Sequence, residues 1–260
     1  MTLIETAFDE GVMTLTLDDP PANTYSYDMM RALEDAILAA RMDEKVHVIV
    51  LTGAGEKFFC AGANIAMLQS VTPTFKYYFC LHANETLVRL EQTPKLVIAA
   101  LNGHAVGGGL EVALAADIRI AKRGGGKIGL PEVHLGVLPG TGGTQRLVRL
   151  LGRARATELM ITGKNMDADE AKAMGLVNEV FEAAGFMDQV KAYAKNFVPP
   201  GRASKAVGLI KRAVLAGGEM SFADGLSYER ELQQQLFTSA DAGEGLAAYV
   251  EKRKPVFRGG

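Results

Sequence analysis

Apolar and polar residues alternate over Leu3–Phe8 and again over Val12–Leu17, with Asp9-Glu10-Gly11 between the two stretches. This alternation is typical of strands that bury one face, and a short polar break containing glycine is typical of a turn. The chain is therefore predicted to begin with a β-hairpin, which Asp18-Asp19-Pro20-Pro21 would end.

After the hairpin, segments with helical spacing alternate with short apolar runs rich in β-branched residues. Such runs indicate strands buried on both faces, and their alternation with helices predicts repeated ββα-like units with parallel pairing. The predicted order is helix Asp28–Met42, strand Val46–Leu51, helix Thr72–Gln92, strand Lys95–Leu101, helix Gly107–Ala116 and strand Asp117–Ala121.

From Gly143 onward the pattern is mostly helical. A break at Asn196-Phe-Val-Pro-Pro-Gly201 predicts a soft boundary, which divides the chain into a core of residues 1–197 and a helical region of residues 198–260. The predicted helices are Thr144–Leu151, Arg155–Thr162, Asp169–Met174, Phe186–Phe197, Ser204–Ala216, Ser221–Phe237 and Ala240–Arg253.

Composition narrows the class of protein. With 260 residues, 48% of them hydrophobic, the chain can bury a substantial core, which excludes a disordered protein and a disulfide-stapled miniature. The 28 basic and 30 acidic residues give a net charge of −2 and no electrostatic footprint for bulk nucleic acid.

The cellular location is predicted from the cysteines, the apolar runs and the N-terminal residues of the sequence. The two cysteines, Cys60 and Cys80, cannot form a disulfide framework, which favours a reducing compartment. No run reaches the length of about 18 apolar residues that a membrane span needs, and the N-terminus has no signal-peptide pattern. The prediction is a cytoplasmic protein without a membrane span, or one of an organelle matrix if a transit peptide had been removed.

Three consecutive glycines, Gly107 to Gly109, stand at the start of a predicted helix, followed closely by Glu111. Glycines there let a ligand approach the free N–H groups of the helix start, and they equally allow tight packing of one backbone on another. Glu111 lies among small and apolar residues, so it should either pair with a buried cation or have a raised pKa suited to acid-base chemistry.

A second acid, Glu132, lies in another apolar segment, which Pro131 and Pro139 stiffen. Two such carboxylates suit a reaction in which one group activates water and another delivers a proton. His134 could be a third participant, but a histidine in an apolar run is more often a hydrogen-bonded core residue, and that is the prediction.

Other common site patterns are missing from the sequence. Thr52–Phe58 follows a predicted strand but has Phe58 where a dinucleotide-binding loop needs glycine, and there is no phosphate-binding P-loop. There is also no nucleophile elbow and no zinc-ligand spacing. No metal site is predicted.

Taken together, the motifs resemble the enoyl-CoA hydratase (crotonase) family over essentially the whole chain. Their order and spacing match the family. The segments that carry the resemblance are Phe59–Ile65, Asn102–Glu111, Ala116–Ile118, Leu130–Glu132, Leu135–Leu147 and Glu244–Phe257.

The resemblance implies an α/β fold built as a spiral of ββα units, with a helical C-terminal region used in trimer assembly, often as a dimer of trimers. The N–H groups of Ala63 and Gly108 would form an oxyanion hole for a thioester carbonyl. Family hydratases use glutamates at the positions of Glu111 and Glu132, and this chain has both. Related isomerases, decarboxylases, dehalogenases and thioesterases commonly replace one or both.

The expected reaction is therefore reversible addition of water to a 2-enoyl-CoA, with no cofactor beyond the coenzyme A of the substrate. Glu132 would deliver the Cα proton and Glu111 would orient and deprotonate the water, although the reverse assignment stays open. An isomerase that moves the double bond, a thioesterase and a non-catalytic CoA-binding subunit are the alternatives.

Substrate contacts follow from the same resemblance. Lys57 matches a position that reaches coenzyme A, and Lys252 and Lys254 could add positive charge. The helix after Ile65, around Met67 to Tyr78, would form the wall of the acyl pocket. The other residues expected to bind substrate are Ala61, Asn64, Ile65, Gly107, Pro131 and Gly140.

Two departures from the family pattern bear on binding. Asn64 and Ala66 stand where the family usually has Asp and often Lys, so contacts with the nucleotide could differ. Tyr25 and Tyr27 stand where small or aliphatic residues are usual, and they could contact the ligand or serve only in packing or at the surface.

Overall fold

A computed structural model describes residues 2–260 as one α/β fold with a helical C-terminal region. The strands are β1 (Ile4–Asp9), β2 (Val12–Leu17), β3 (Val48–Gly53), β4 (Phe58–Cys60), β5 (Leu96–Leu101), β6 (His104–Val106), β7 (Ile118–Lys122), β8 (Ile128–Gly129), β9 (Asn165–Met166) and β10 (Glu179–Phe181). The helices are α1 (Tyr27–Met42), α2 (Ile65–Ser70), α3 (Pro73–Glu91), α4 (Gly108–Leu114), α5 (Gly143–Leu151), α6 (Arg153–Thr162), α7 (Ala168–Met174), α8 (Phe186–Lys195), α9 (Ser204–Gly217), α10 (Phe222–Phe237) and α11 (Ala240–Glu251), with a 3-10 helix at Glu132–Leu135.

The larger sheet has six strands in the order β1-β2-β3-β5-β7-β10. β1 and β2 form the predicted antiparallel hairpin, and the pairs from β2 to β10 are parallel. All six residues of β3 and all six of β5 are buried. This sheet confirms the parallel pairing that the continuous apolar runs predicted.

Alternate residues of these central strands enter two different hydrophobic cores. Val48 and Val50 of β3 lie in the core that α8 covers, whereas Ile49 and Leu51 lie in the larger core beneath α1 and α3. Because successive side chains of a strand point to opposite faces, two cores require a strand that is apolar at every position.

A second, smaller sheet was not predicted. Its strands β4, β6, β8 and β9 have only two or three residues each, which is too short for a pattern of period two to be recognised. β4 pairs with β6 and β6 with β8, both in parallel. The carboxyl ends of these three strands therefore meet at one edge.

The C-terminal helices follow the predicted break, because α8 ends at Lys195 and α9 begins at Ser204. A buried ion pair joins α9 to the core, with Lys211 Nζ 2.9 Å from an Asp117 carboxylate oxygen. Nowhere in residues 2–260 is a helix both long and apolar enough to span a membrane.

Candidate active site

Three segments that the sequence singled out follow the three parallel strands of the smaller sheet. Ala61–Ala63 follow β4, Gly107–Gly108 follow β6, and Pro131–Glu132 come soon after β8. Because the strands are parallel, the segments emerge at the same edge. A Cβ placed on Gly62 would lie 2.9 Å from the Gly108 nitrogen, so the first two segments are in direct contact.

Glu111 lies in the first turn of α4 and is 2% exposed. Its Oε1 accepts hydrogen bonds from the N–H groups of Thr141 and Gly143, both at 2.7 Å. Burial raises the pKa of this carboxyl, while the two N–H groups and the nearby Arg146 oppose the rise. Of the two outcomes expected for Glu111, the structure thus gives the raised pKa, and backbone N–H groups take the place of a buried cation as its hydrogen-bond donors.

Glu132 is the first residue of the 3-10 helix and follows Pro131, which precedes that helix at its N-cap. Burial, together with the negative charge of Glu111, raises the pKa of Glu132 to about 7. Its Oε2 is buried, and no hydrogen-bond donor within residues 2–260 reaches it. A carboxyl in this setting exchanges a proton near neutral pH.

Each of the three glycines lies close to a different residue. Gly107 has a φ of 58°, and a Cβ there would lie 3.2 Å from Glu132 Oε1. A Cβ on Gly108 would overlap the ring and hydroxyl of Tyr25, and one on Gly109 would overlap the carbonyl oxygen of Cys60. Gly109 therefore supports the interpretation of tight packing, whereas Gly107 admits the carboxylate of Glu132.

The N–H groups of Ala63 and Gly108 have no acceptor anywhere in residues 2–260. Ala63 forms a parallel bridge with Tyr25, in which the Tyr25 N–H donates to Gly62 O at 2.9 Å and the Asn64 N–H donates to Tyr25 O at 3.0 Å. In a parallel bridge of this kind the N–H of the central residue points away from the partner segment. Both donors are thus available to a ligand.

Tyr25 is the site residue that the sequence identified least clearly. Its side chain is 3% exposed, and its hydroxyl hydrogen-bonds Thr141 Oγ1 at 2.9 Å. Tyr27, by contrast, is exposed and packs against Phe75 and His82. The available signal was a tyrosine at a position where the family usually has a small or aliphatic residue.

The residues expected to bind coenzyme A differ in exposure. Lys57 is exposed, with Nζ 5.4 Å from the centre of the Phe58 ring. The Ala61 N–H donates to Ala22 O at 3.0 Å, and Ile65 is 50% exposed. Lys252 and Lys254 are exposed at the end of α11.

The remaining predicted residues have local partners. Asn64 caps α2 by accepting the Met67 N–H at 2.9 Å, so its side-chain oxygen is already used. Gly140 O accepts a hydrogen bond from Asn84 Nδ2 at 3.3 Å. The predicted pocket-wall helix is two helices, α2 and α3, because Thr72 caps a new helix at Pro73.

The prediction for His134 is wrong. The residue is exposed on the 3-10 helix, and its ring packs against Gly163 instead of entering the core. The apolar neighbours Leu135, Val137 and Leu138 are exposed as well, at 58–66%. An apolar segment on the surface misled the prediction, because local composition does not report which side a short helix turns outward.

No group of three or more histidine, cysteine, aspartate or glutamate side chains suited to hold a metal ion occurs in residues 2–260.

A family model described as enoyl-CoA hydratase/isomerase matches residues 7–260. The chain is 39% identical over 244 residues to a short-chain-enoyl-CoA hydratase of Clostridium acetobutylicum, covering 94% of this chain and 92% of the relative. It is 37% identical to a crotonyl-CoA hydratase of Syntrophomonas wolfei, covering 96% and 95%.

Solved structures give the same result. An enoyl-CoA hydratase structure from Geobacillus kaustophilus HTA426 superposes with a TM-score of 0.97 at 43% identity, covering 100% of this chain and 97% of the other. One from Bacillus anthracis superposes with a TM-score of 0.93 at 34% identity, covering 99% and 100%. The predicted fold class is confirmed.

Proposed function

Because the chain belongs to the enoyl-CoA hydratase/isomerase family, we propose that it adds water reversibly across the 2,3 double bond of a 2-enoyl-CoA thioester. The product is a 3-hydroxyacyl-CoA. The observation that carries the proposal is the pair of carboxyls, Glu111 and Glu132, which share one site but have different surroundings.

The surroundings favour a division of roles. Two N–H groups donate to Glu111, which favours its ionised form and suits a base that takes a proton from water. Glu132, with a pKa of about 7 and no donor to its Oε2, retains a proton near neutral pH and suits an acid. This supports the assignment favoured from the family resemblance.

The proposed reaction balances without any further reactant. Glu111 removes a proton from water while the water oxygen bonds to Cβ, and the electron pair of the double bond shifts toward the thioester carbonyl. The N–H groups of Ala63 and Gly108 would stabilise the negative charge on that oxygen. Glu132 then delivers its proton to Cα, and proton exchange with solvent water returns Glu111 to its ionised form and Glu132 to its protonated form. The reverse sequence releases water.

Coenzyme A belongs to the substrate in this proposal, so the reaction uses no separate cofactor. The exposed Lys57 is proposed to bind its phosphates, since lysine is a mobile point charge for such groups. Ala61, Asn64, Ile65, Gly107, Pro131 and Gly140 are proposed to contact the substrate around the two donors.

The first experiment measures loss of the conjugated enoyl-thioester absorbance with crotonyl-CoA and with a longer 2-enoyl-CoA. Wild type should be active, and Glu111→Gln and Glu132→Gln should each lower kcat by about 10²–10⁴-fold, the usual contribution of a general acid or base. Glu85→Gln, an exposed change on α3, is the matched control and should be without effect.

Product analysis separates the alternatives. A shifted double bond without 3-hydroxyacyl-CoA would identify an isomerase, and release of free CoA thiol would identify a thioesterase. Tight binding of CoA esters without any turnover would contradict the hydratase proposal in favour of a binding subunit.

A further inference from the structure

Tyr25 contacts both proposed oxyanion donors, Ala63 and Gly108, directly and is connected with the proposed base, Glu111, through Thr141. We propose that Tyr25 is a positioning residue whose hydroxyl and backbone hold both oxyanion donors and the Glu111 carboxylate in one fixed arrangement. This inference rests on the proposed function, since it deepens the account of the same site.

The backbone of Tyr25 positions the first donor. Its N–H donates to Gly62 O and its carbonyl accepts from the Asn64 N–H, at 2.9 and 3.0 Å. These two bonds lie on either side of Ala63, so they set the direction of the Ala63 N–H between them. A change of side chain leaves both backbone bonds possible.

The ring of Tyr25 positions the second donor. It lies so close to Gly108 that any Cβ at that residue would overlap the hydroxyl, Cε1 and Cζ atoms. Phe79 packs on the ring with centroids 6.0 Å apart, and the side chain is 3% exposed. The ring is therefore a fixed support under the first residue of α4.

The hydroxyl connects this support with the acid. It hydrogen-bonds Thr141 Oγ1 at 2.9 Å, and the Thr141 N–H donates to Glu111 Oε1 at 2.7 Å. The Thr141 hydroxyl also lowers the pKa of Glu111. If the phenol donates to Thr141, the threonine proton is free to turn toward the carboxylate, so the three groups form one chain.

The surroundings keep the phenol protonated and so able to donate. The groups around it are Glu111 from α4, Cys60 from β4, Cys80 from α3 and the hydroxyl of Thr141. Burial, followed by the charge of Glu111, raises the pKa of Tyr25 well above its usual value, although the hydrogen bond with Thr141 opposes this.

Tyr25→Phe removes the hydroxyl and retains the ring, so it tests the chain of hydrogen bonds without emptying the core. We expect kcat to fall by about 10–100-fold, because displacing a catalytic group by about 1 Å can lower the rate by about 100-fold. KM should stay within about threefold, since ground-state binding is unaffected.

The pH profile provides a readout that a packing role would not change. Glu111 must be ionised to accept a proton from water, and the hydroxyl chain favours that form. Its loss should raise the pKa of Glu111 and move the acid limb of kcat to higher pH by about 0.5 unit. Thr141→Val, which retains its N–H, should shift the acid limb in the same direction. The double variant should have a kcat no lower than that of either single variant.

Tyr27→Phe is the matched control, since it removes the same atom from the exposed neighbouring tyrosine. It should leave kcat, KM and the pH profile unchanged. A Tyr25→Phe protein with the kcat and pH profile of wild type would overturn the proposal, whatever its melting temperature.

A binding readout separates failure of this inference from failure of the proposed function. The probe is a cinnamoyl-CoA with a dimethylamino group on its ring, whose absorbance moves to longer wavelength when its carbonyl is polarised. The shift should be smaller in Tyr25→Phe than in wild type, even if wild type hydrates no enoyl-CoA. Equal shifts would overturn the positioning role, and a wild type that neither turns over nor shifts the probe would overturn both.

Discussion

Glu111 and Glu132 carry the same functional group, yet the fold surrounds them with different neighbours. Glu111 Oε1 receives two backbone N–H groups, whereas Glu132 Oε2 is buried without a donor among residues 2–260. Burial raises the pKa of both carboxyls, but hydrogen bonds to a carboxylate favour its charged form, so the two backbone donors oppose this rise at Glu111. The proposed reaction uses that difference.

The raised pKa of Glu132 has a cost in stability. Between an unfolded pKa of 4.5 and a folded pKa of about 7, the folded state binds more protons, so wild-type stability should fall as pH rises through this window. Glu132→Gln does not lose stability in this way, because glutamine does not titrate. After a discount for partial exposure, its stability relative to wild type should be higher at pH 8 than at pH 5 by about 1–2 kcal/mol.

Urea unfolding at the two pH values measures this difference. Glu85→Gln, at an exposed site on α3, should show the same pH dependence as wild type. If the stability curves of Glu132→Gln and wild type ran parallel between pH 5 and pH 8, the raised pKa would be refuted.

At the scale of elements, the loop before α5 and the first residue of that helix matter most, because they supply the N–H groups of Thr141 and Gly143 to Glu111. Arg146 of α5 holds this loop by donating to Thr141 O at 3.3 Å. The same guanidinium makes a bidentate pair with Glu91 of α3, with N–O distances of 3.1 and 3.0 Å. A planar fork with several donors is needed to reach both acceptors.

Arg146→Lys should therefore disturb the site although it retains the charge. Lysine cannot donate to both Glu91 oxygens and the Thr141 carbonyl, so the loop should loosen around Glu111. We expect kcat to fall about tenfold and the free energy of unfolding to fall by about 1.5–3 kcal/mol. Steady-state kinetics and urea unfolding measure the two effects.

Arg149→Lys is the control on the same helix. Its ion pair with Glu219 is exposed on both sides, at 55% and 58%, so the change should have little effect. If Arg146→Lys kept wild-type kcat, the loop would not depend on this arginine.

At the scale of the whole molecule, α9 differs from the last two helices in how tightly it packs on the core. Lys211 and Gly208 pack α9 tightly on the core, where a Cβ on Gly208 would overlap Pro94 O. On α10 and α11, by contrast, Phe222, Tyr249 and Val250 are 83%, 86% and 80% exposed. Exposed apolar side chains mark an interface where they form a contiguous patch. The division at residue 197 separates the core from these helices and stays a prediction.

We expect the protein to assemble as a trimer or a dimer of trimers, with α10 and α11 contributing to the contacts. Sedimentation velocity should give the mass of three or six chains. Placing charge in the contact, by Tyr249→Glu with Val250→Glu, should shift the protein toward smaller species, because an unpaired charge is costly to bury.

Glu251→Gln, on the same helix and already exposed, should leave the assembly unchanged. A wild-type protein that sediments as a monomer at every concentration would contradict the expected assembly.

The local pattern of the sequence was sufficient for the elements along which that pattern extends over many residues. The hairpin, β3, β5, β7 and most helices were predicted within a few residues of their observed ends, although β1 buries only Ile4 and α10 only Leu232. Glu111 and Glu132 were identified from the same pattern, since a carboxylate stands out in an apolar segment. The family motifs then added the oxyanion donors.

Only the tertiary structure decided which groups those residues contact. The smaller sheet, with strands of two or three residues, exists through pairing rather than through any repeating pattern. Glu111 accepts hydrogen bonds from residues 30 and 32 positions away in the sequence, and Tyr25 hydrogen-bonds Thr141, which is 116 positions away. Such contacts depend on how strands pair and loops close over long distances in the chain, and a local pattern of hydrophobic and polar residues carries no record of that.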